Sequence, residues 1–122
     1  MRQRRAPSGP TIVLQTEENT VSNGNSGADF TIDWSLGPNQ QLVLTAASVV
    51  IRQEGLPTGE TAELTLTLFQ DATGNRVAHF ADCQTPGGAT LTLSTAANKK
   101  DLLDLHWDGH VLQATVRGLA FA

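Results

Sequence analysis

Residues 61–81, TAELTLTLFQDATGNRVAHFA, decide the fold that the sequence predicts for this chain. Within them, alanine and three leucines occupy the even positions from 62 to 68, and polar residues lie between them. This period of two is typical of a half-buried β-strand. Turn-forming residues at 71–75 interrupt the alternation, which resumes at residues 76–81. We therefore predict an antiparallel hairpin whose leucine face the rest of the chain covers.

The remaining sequence predicts several more short strands separated by turns. Residues 42–54 exceed the usual strand length of about 5 to 6 residues, and a bulge or break is expected at 46–48, after which the apolar phase changes. Polar loops of turn formers are expected at residues 17–28 and 82–88. The further predicted strands are residues 11–16, the strand that carries Phe30, Ile32 and Trp34, and residues 89–94.

A second hairpin is predicted near the end of the sequence. Asp108-Gly109 is typical of a two-residue type I′ turn between alternating strands. The register puts apolar side chains of both strands on one face, as a core requires. The pairs that this turn predicts are Trp107 with His110, Leu105 with Leu112, and Leu103 with Ala114.

Eight or nine short strands at regular spacing predict an all-β fold. We expect a single antiparallel β-sandwich of the jelly-roll or immunoglobulin-like type over residues 11–122. Residues 1–10, which end in Pro-Ser-Gly-Pro, predict a short extended arm. A chain of 122 residues suits one domain. The order of the strands stays open at this point.

The charges divide between a basic arm and an acidic body. Arg2, Arg4 and Arg5 lie in the first five residues, and from residue 11 onward five basic groups face twelve acidic ones. An acidic body argues against broad nucleic-acid binding, which needs a basic footprint. No apolar run has the length of a secretion signal core or a membrane span, so no secretion signal and no membrane partner are expected.

Few residues combine into a recognisable reactive site. His106 and His110 point to opposite faces in the predicted register, so no metal site assembles locally, although neighbouring strands could add ligands. Asp29 and Asp33 lie about 13 Å apart on an extended strand, beyond the separation of a glycosidase pair. The single cysteine, Cys83, excludes an internal disulfide. We expect no cofactor, no metal and no enzyme activity.

The second half of the chain resembles a β-rich module at the C-terminal ends of bacteriophage tail-fibre and other virion proteins. The resemblance covers about residues 28–122 and depends on the order and spacing of short motifs. Similar modules carry tryptophan and proline after the central hairpin, where this chain has His79-Phe80-Ala81-Asp82. The motifs are Asp33-Trp34-Ser35-Leu36-Gly37, residues 64–68 running to Gln70-Asp71-Ala72-Thr73-Gly74, Pro86-Gly87-Gly88, residues 93–101, and Trp107-Asp108-Gly109.

This resemblance implies a non-enzymatic virion surface protein, assembled in the host cytoplasm and trimeric like most phage fibre heads. Because no fibre shaft precedes the domain, capsid decoration or a head fibre is the leading expectation, with Arg2, Arg4 and Arg5 of the arm binding another virion protein. Phe69, opposite in phase to the leucines, is the candidate subunit contact. The alternative is a receptor-binding or glycan-binding tail-fibre tip, with Asn23, Asn25, Gln84 and Thr85 in its recognition loops.

Overall fold

A computed structural model describes residues 20–88 and 91–121. Within these ranges the chain forms nine β-strands and two short 3₁₀ turns, with no α-helix. The arm of residues 1–10 and the strand predicted at 11–16 lie outside the described residues. The strands are β1 (Val21–Asn25), β2 (Asp29–Asp33), β3 (Asn39–Leu44), β4 (Ser48–Glu54), β5 (Ala62–Gln70), β6 (Val77–Phe80), β7 (Cys83–Gln84), β8 (Lys100–Trp107) and β9 (Leu112–Phe121).

The strands form a larger sheet in the order β1-β3-β5-β8-β9-β7 and a smaller one in the order β2-β4-β6. From β1 to β6, each strand lies in the sheet opposite to the strand before it. Strands two apart in sequence therefore become neighbours, and they run parallel. The all-β prediction is confirmed. The expected antiparallel sandwich is wrong in its pairing, because only β5–β8 and β8–β9 are antiparallel among the described strands.

The predicted hairpin at residues 61–81 is also wrong, although both of its strands exist. β5 pairs with β3 and β8 in the larger sheet, whereas β6 pairs with β4 in the smaller one. Residues 71–76 cross between the sheets instead of folding β6 back against β5. The physical reason is that alternation identifies which face of a strand is buried, but not which strand lies beside it.

The core lies between the two sheets and is filled from both. Leu64, Leu66 and Leu68 of β5 are almost completely buried, as their alternation predicts. Burying one such side chain stabilises the fold by about 1.5–3 kcal/mol. The other buried apolar residues are Ile32, Leu42, Leu44, Val49, Ile51, Leu103, Leu105, Leu112 and Ala114.

The predicted break at 46–48 is confirmed. It separates β3 from β4, and the buried positions change from even in β3 to odd in β4 across the connection between the two sheets. By contrast, the strand predicted at 89–94 is wrong for its described part. Residues 91–94 form no strand, although Leu91 and Leu93 still pack against the core.

The second predicted hairpin exists as β8 and β9, with its register shifted by two residues. Trp107 pairs with Leu112, Leu105 with Ala114, and the loop between the strands contains residues 108–111. The Asp108 carboxylate accepts from the amides of residues 110 and 111, both at 2.8 Å, which closes this longer loop. A shift of two leaves each side chain on its predicted face.

Three buried polar side chains hold the loops between the strands. Gln40 donates its amide to the carbonyls of residues 33 and 37, at 2.8 and 3.0 Å. Gln70 donates to the carbonyls of residues 76 and 94 and accepts from the amide of residue 76. Asp101 accepts from the amides of residues 94 and 120. Each side chain satisfies backbone groups that would otherwise be buried without partners.

The crossover at residues 71–76 has the turn chemistry that the sequence predicts. Asp71 Oδ1 accepts from the amides of Thr73 and Gly74, at 3.1 and 3.0 Å. Arg76 pairs with the same carboxylate at 2.9 Å, and this hydrogen bond is the main cause of a lowered Asp71 pKa. Gly74 and Asn75 both adopt positive φ. The sequence signal for a turn was thus correct, but the turn joins two sheets.

Replacing Gly74 by alanine should destabilise the fold more than replacing Gly24. Both glycines have nearly the same φ, +74° and +75°. Alanine is strained in this left-handed backbone region, so the free energy of unfolding should fall by about 1–2 kcal/mol in both variants. A Cβ at Gly74 would lie 2.8 Å from the Thr95 carbonyl oxygen, whereas Gly24 faces open space. Because of this overpacking, the free energy of unfolding measured in urea should fall by about 1–3 kcal/mol more for Gly74→Ala than for Gly24→Ala. Equal losses for the two variants would contradict this contact.

Candidate functional site

The larger sheet has an outer face, which is the face turned away from the core. Alternate residues of four strands, β3, β5, β8 and β9, form this outer face because they point away from the buried leucines. Among the described residues no strand or helix covers this face, since the smaller sheet packs on the opposite side. An uncovered sheet face of this kind is the main candidate for an interaction surface.

The strand register arranges the outer face in four rows that run across the sheet. The rows change in character from apolar at one end to charged at the other. They are Val43, Phe69, Lys100 and Phe121; then Gln41, Thr67, Leu102 and Gly118; then Asn39, Thr65, Asp104 and Thr115; and finally Glu63, His106 and Gln113.

The apolar end is centred on Phe69. Its ring lies between the neighbours Val43 and Lys100, and the Lys100 ammonium is 5.7 Å from the ring centroid, in reach of a cation–π contact. Farther across the sheet, Phe121 is 45% exposed and lies over Gly118. Large apolar side chains thus extend over three strands without a described element above them.

The charged end contains two side-chain pairs that bridge strands, one of them an ion pair. Arg117 pairs with Asp104 and reaches Thr65 Oγ1 on β5 at 3.4 Å. The Asp104 carboxylate raises the pKa of the Arg117 guanidinium. His106 Nδ1 lies 3.3 Å from Glu63 Oε2. Both signs of charge therefore occur side by side on one surface.

Phe69 lies where its phase predicted, on the outer face, although it is half-buried by its neighbours. Three residues of the same surface were not among the predicted contacts: Val43, Leu102 and Phe121. Their own alternation within β3, β8 and β9 could have placed them on a polar face. Their adjacency to Phe69 could not be found in this way, because it depends on which strands pair.

The candidate recognition loops are not brought together. Asn23 and Asn25 belong to β1, which is a strand and not part of a loop, and Asn23 Nδ2 donates to the buried Gln40 at 3.0 Å. Gln84 lies in β7 at the opposite edge of the larger sheet, and Thr85 follows it. The loop predicted over residues 21–25 is therefore wrong, because these residues pair with β3 as a strand, while the recognition role of Asn23, Asn25, Gln84 and Thr85 stays a prediction.

The arginines of the arm, Arg2, Arg4 and Arg5, lie outside the described residues. His106 and His110 do not meet, because one pairs with Glu63 on the outer face and the other lies in the loop after β8. Within residues 20–88 and 91–121, no three histidine, cysteine, aspartate or glutamate side chains form a group that could hold a metal. The same ranges contain no helix that is long and apolar enough to cross a membrane.

Two of the concave sites on the described surface lie away from the four rows of the outer face. One, of about 160 Å³, is lined by Cys83 together with residues of β6 and Leu91. The other, of about 290 Å³, lies beside Trp107 at one end of the sandwich.

No protein-family model, curated protein or solved structure matches this chain. Its function therefore has to be inferred from these surfaces and from the sequence.

The Cys83 thiol should react slowly in the folded protein. Burial raises the pKa of this thiol, although the amide of Ala114 opposes the shift, so a smaller fraction is thiolate at neutral pH. We expect iodoacetamide to alkylate Cys83 more slowly in native buffer than in urea at the same pH, as followed by intact mass. Equal rates in the two solutions would show that the thiol is not shielded.

Proposed function

We propose that this chain is a non-enzymatic structural protein of a bacteriophage particle, either a capsid decoration protein or a head-fibre protein. In this proposal the domain forms a homotrimer through the outer face of its larger sheet, and the arm binds another virion protein. The virion assignment is supported by the resemblance over residues 28–122. The assembly is supported by one observation above all, the uncovered apolar rows around Phe69.

The size of the outer face favours a stable contact. With β1 counted at its edge, the larger sheet offers five neighbouring strands at about 4.8 Å spacing, and with seven residues at about 3.3 Å rise they give a surface roughly 20 Å on each side, before the side chains are added. Each partner in an ordinary stable interface buries about 800 Å². With its protruding side chains, the outer face approaches that area.

The chemistry of the outer face favours a second copy of the same chain as the occupant. The face carries both signs of charge in Asp104–Arg117, and a further carboxylate and imidazole in Glu63–His106, beside an apolar end. In a trimer each outer face meets parts of two neighbouring copies around the threefold axis, and a face with this mixture can complement them because every copy brings both donors and acceptors as well as apolar area. A strongly basic or strongly acidic partner would match only one of the two signs.

The alternative is a receptor-binding tip of a tail fibre, which the same resemblance allows. Homotrimers suit both roles, so assembly alone does not separate them. Binding to stripped phage heads supports decoration, whereas binding to host cells supports the tip. A host surface glycan would be the partner in the second case.

Replacing Phe69 by aspartate should dissociate the assembly. We expect the wild-type chain to sediment with three times the 13.0 kDa mass of one chain, and Phe69→Asp to sediment as a monomer. A charge in the centre of an apolar contact leaves an unpaired ion that must be desolvated, which weakens association by several kcal/mol. Sedimentation velocity over a range of protein concentrations measures the change.

Val50→Asp is the matched control for this experiment. Val50 is also half-buried, points away from the core and lies on the central strand of the smaller sheet. This variant should retain the wild-type mass, and thermal unfolding should show that both variants remain folded. A monomeric wild-type chain at high concentration, or an unchanged mass for Phe69→Asp, would contradict assembly through the outer face.

Replacing Arg2, Arg4 and Arg5 together by serine should abolish saturable binding to heads of the encoding phage from which accessory proteins have been stripped. Arginine side chains suit carboxylate-rich surfaces, so loss of three charges removes the proposed attachment. Labelled protein that cosediments with heads gives the copy number bound. The triple lysine variant retains the charge and serves as the control, and both variants should retain the wild-type mass. Undiminished binding of the serine variant would refute the role of the arm.

A further inference from the structure

The strongest unassigned site is the cleft of about 290 Å³ at one end of the sandwich. It opens where two neighbouring strands of the smaller sheet part. The amide of Ala81 donates to the Ile51 carbonyl at 2.9 Å, and the register of β4 with β6 ends there. β4 continues to Glu54, whereas the chain turns away at Asp82 towards the larger sheet. The gap between the end of β4 and the chain at Asp82 forms the cleft.

The floor of the cleft is aromatic and rigid. Trp107 lines it, and the indole Nε1 donates to the Pro57 carbonyl at 2.5 Å. This bond fixes the orientation of the half-buried ring and leaves no indole donor to be satisfied by a ligand. Leu56 and Leu112 extend the apolar surface. A flat apolar ring held in this way can stack against the face of a ligand.

Polar groups form part of the wall of the cleft. Gln53 Oε1 accepts from Trp34 Nε1 at 2.5 Å, which fixes the side-chain amide, and its Nε2 is buried with no hydrogen-bond partner among the described residues. The Asp82 carboxylate and the Arg52 guanidinium also line the cleft.

The backbone of Gln53 adds a donor and an acceptor to the same wall. In a parallel ladder, successive residues of a strand bond alternately to the strands on either side. The amide of Val50 bonds towards β2, and the carbonyl of Ile51 bonds towards β6. The amide and carbonyl of Gln53 therefore point towards the β6 side, beyond the last pair in that register.

We propose that this cleft binds a single neutral sugar ring. Sugar hydroxyls both donate and accept, so they match a wall that holds an amide, a carbonyl and a carboxylate, and the C–H face of the ring can stack on Trp107. A phosphate or carboxylate ligand could pair with Arg52 but would be repelled by Asp82, whereas hydroxyls can donate to Asp82 and accept from Arg52. A fully apolar ligand would desolvate both charged groups without supplying hydrogen bonds to them. The cleft volume is near the lower limit of ligand sites, about 300 Å³, which suits one ring.

This inference is independent of the proposed assembly. The cleft is formed by residues of β4, of the corner between β6 and β7, and of the β8–β9 hairpin, and none of its wall groups belongs to the rows around Phe69. Failure of sugar binding would leave the proposed trimer intact. A monomeric protein would likewise leave the cleft complete.

The test uses the full chain and four free sugars: glucose, galactose, mannose and N-acetylglucosamine. Each is titrated into ¹⁵N-labelled protein up to high millimolar concentration, with glycerol and inorganic phosphate as comparison ligands. We expect at least one sugar to shift the amides of Gln53, Asp82 and the Trp107 side chain in a saturable manner, with glycerol and phosphate giving no such pattern. Absence of saturable shifts for all four sugars, or shifts confined to another surface, would overturn the proposal.

Two carboxylate variants test the wall directly. Asp82→Asn replaces an exposed residue and should weaken the affinity by about tenfold or more, the scale for a lost hydrogen bond to a charged group. Glu54→Gln changes a neighbouring exposed carboxylate that does not line the cleft, and should leave the affinity unchanged. Equal affinity for Asp82→Asn and the wild type would refute the assigned role of Asp82. Phosphate binding that competes with the sugar would show an anion site instead.

Discussion

The alternation of successive strands between two sheets is the constraint on which the rest of the structure depends. Because β1 to β6 lie by turns in the larger and the smaller sheet, every connection between them crosses the core, and strands two apart pair in parallel. Parallel strands cannot be joined by a tight turn, so each pair needs the intervening strand as its crossover. The leucines of β5 then pack in the core against the smaller sheet, of which β6 is one edge strand.

This arrangement also explains where the buried polar side chains lie. A chain that crosses repeatedly from one sheet to the other leaves backbone amides and carbonyls near the core at each crossing. Gln40 and Gln70 occupy inward positions at strand ends and take up these groups. They therefore perform in the crossovers the role that ladder hydrogen bonds perform within the strands.

The sequence was informative about faces and uninformative about neighbours. Alternation correctly separated Leu64, Leu66 and Leu68 from Phe69, and the change of phase after residues 46–48 correctly predicted a break. A period of two reports only which side of a strand is buried, so parallel and antiparallel pairing give the same pattern. β1 was missed because glycine and asparagine at 24 and 25 are turn formers, and only its pairing with β3 makes it a strand.

The two candidate sites differ in how far they could be predicted. Phe69 was recognisable from its phase, but the row that joins it to Val43, Lys100 and Phe121 requires the register of four strands. The Trp107 cleft could not be predicted from local sequence. Its residues Gln53, Asp82 and Trp107 lie far apart in sequence, and only the fold brings them together. Both sites exist only because the chain crosses from sheet to sheet.

Cross-strand proton contacts in a ¹⁵N,¹³C-labelled sample test this topology most directly. The account predicts parallel contacts between β3 and β5, with Gln41 beside Thr67, and between β4 and β6, with Val49 beside Ala78. It also predicts none between β5 and β6. An antiparallel series of contacts between β5 and β6, centred on residues 71–76, would restore the hairpin and contradict the alternation of strands between the two sheets.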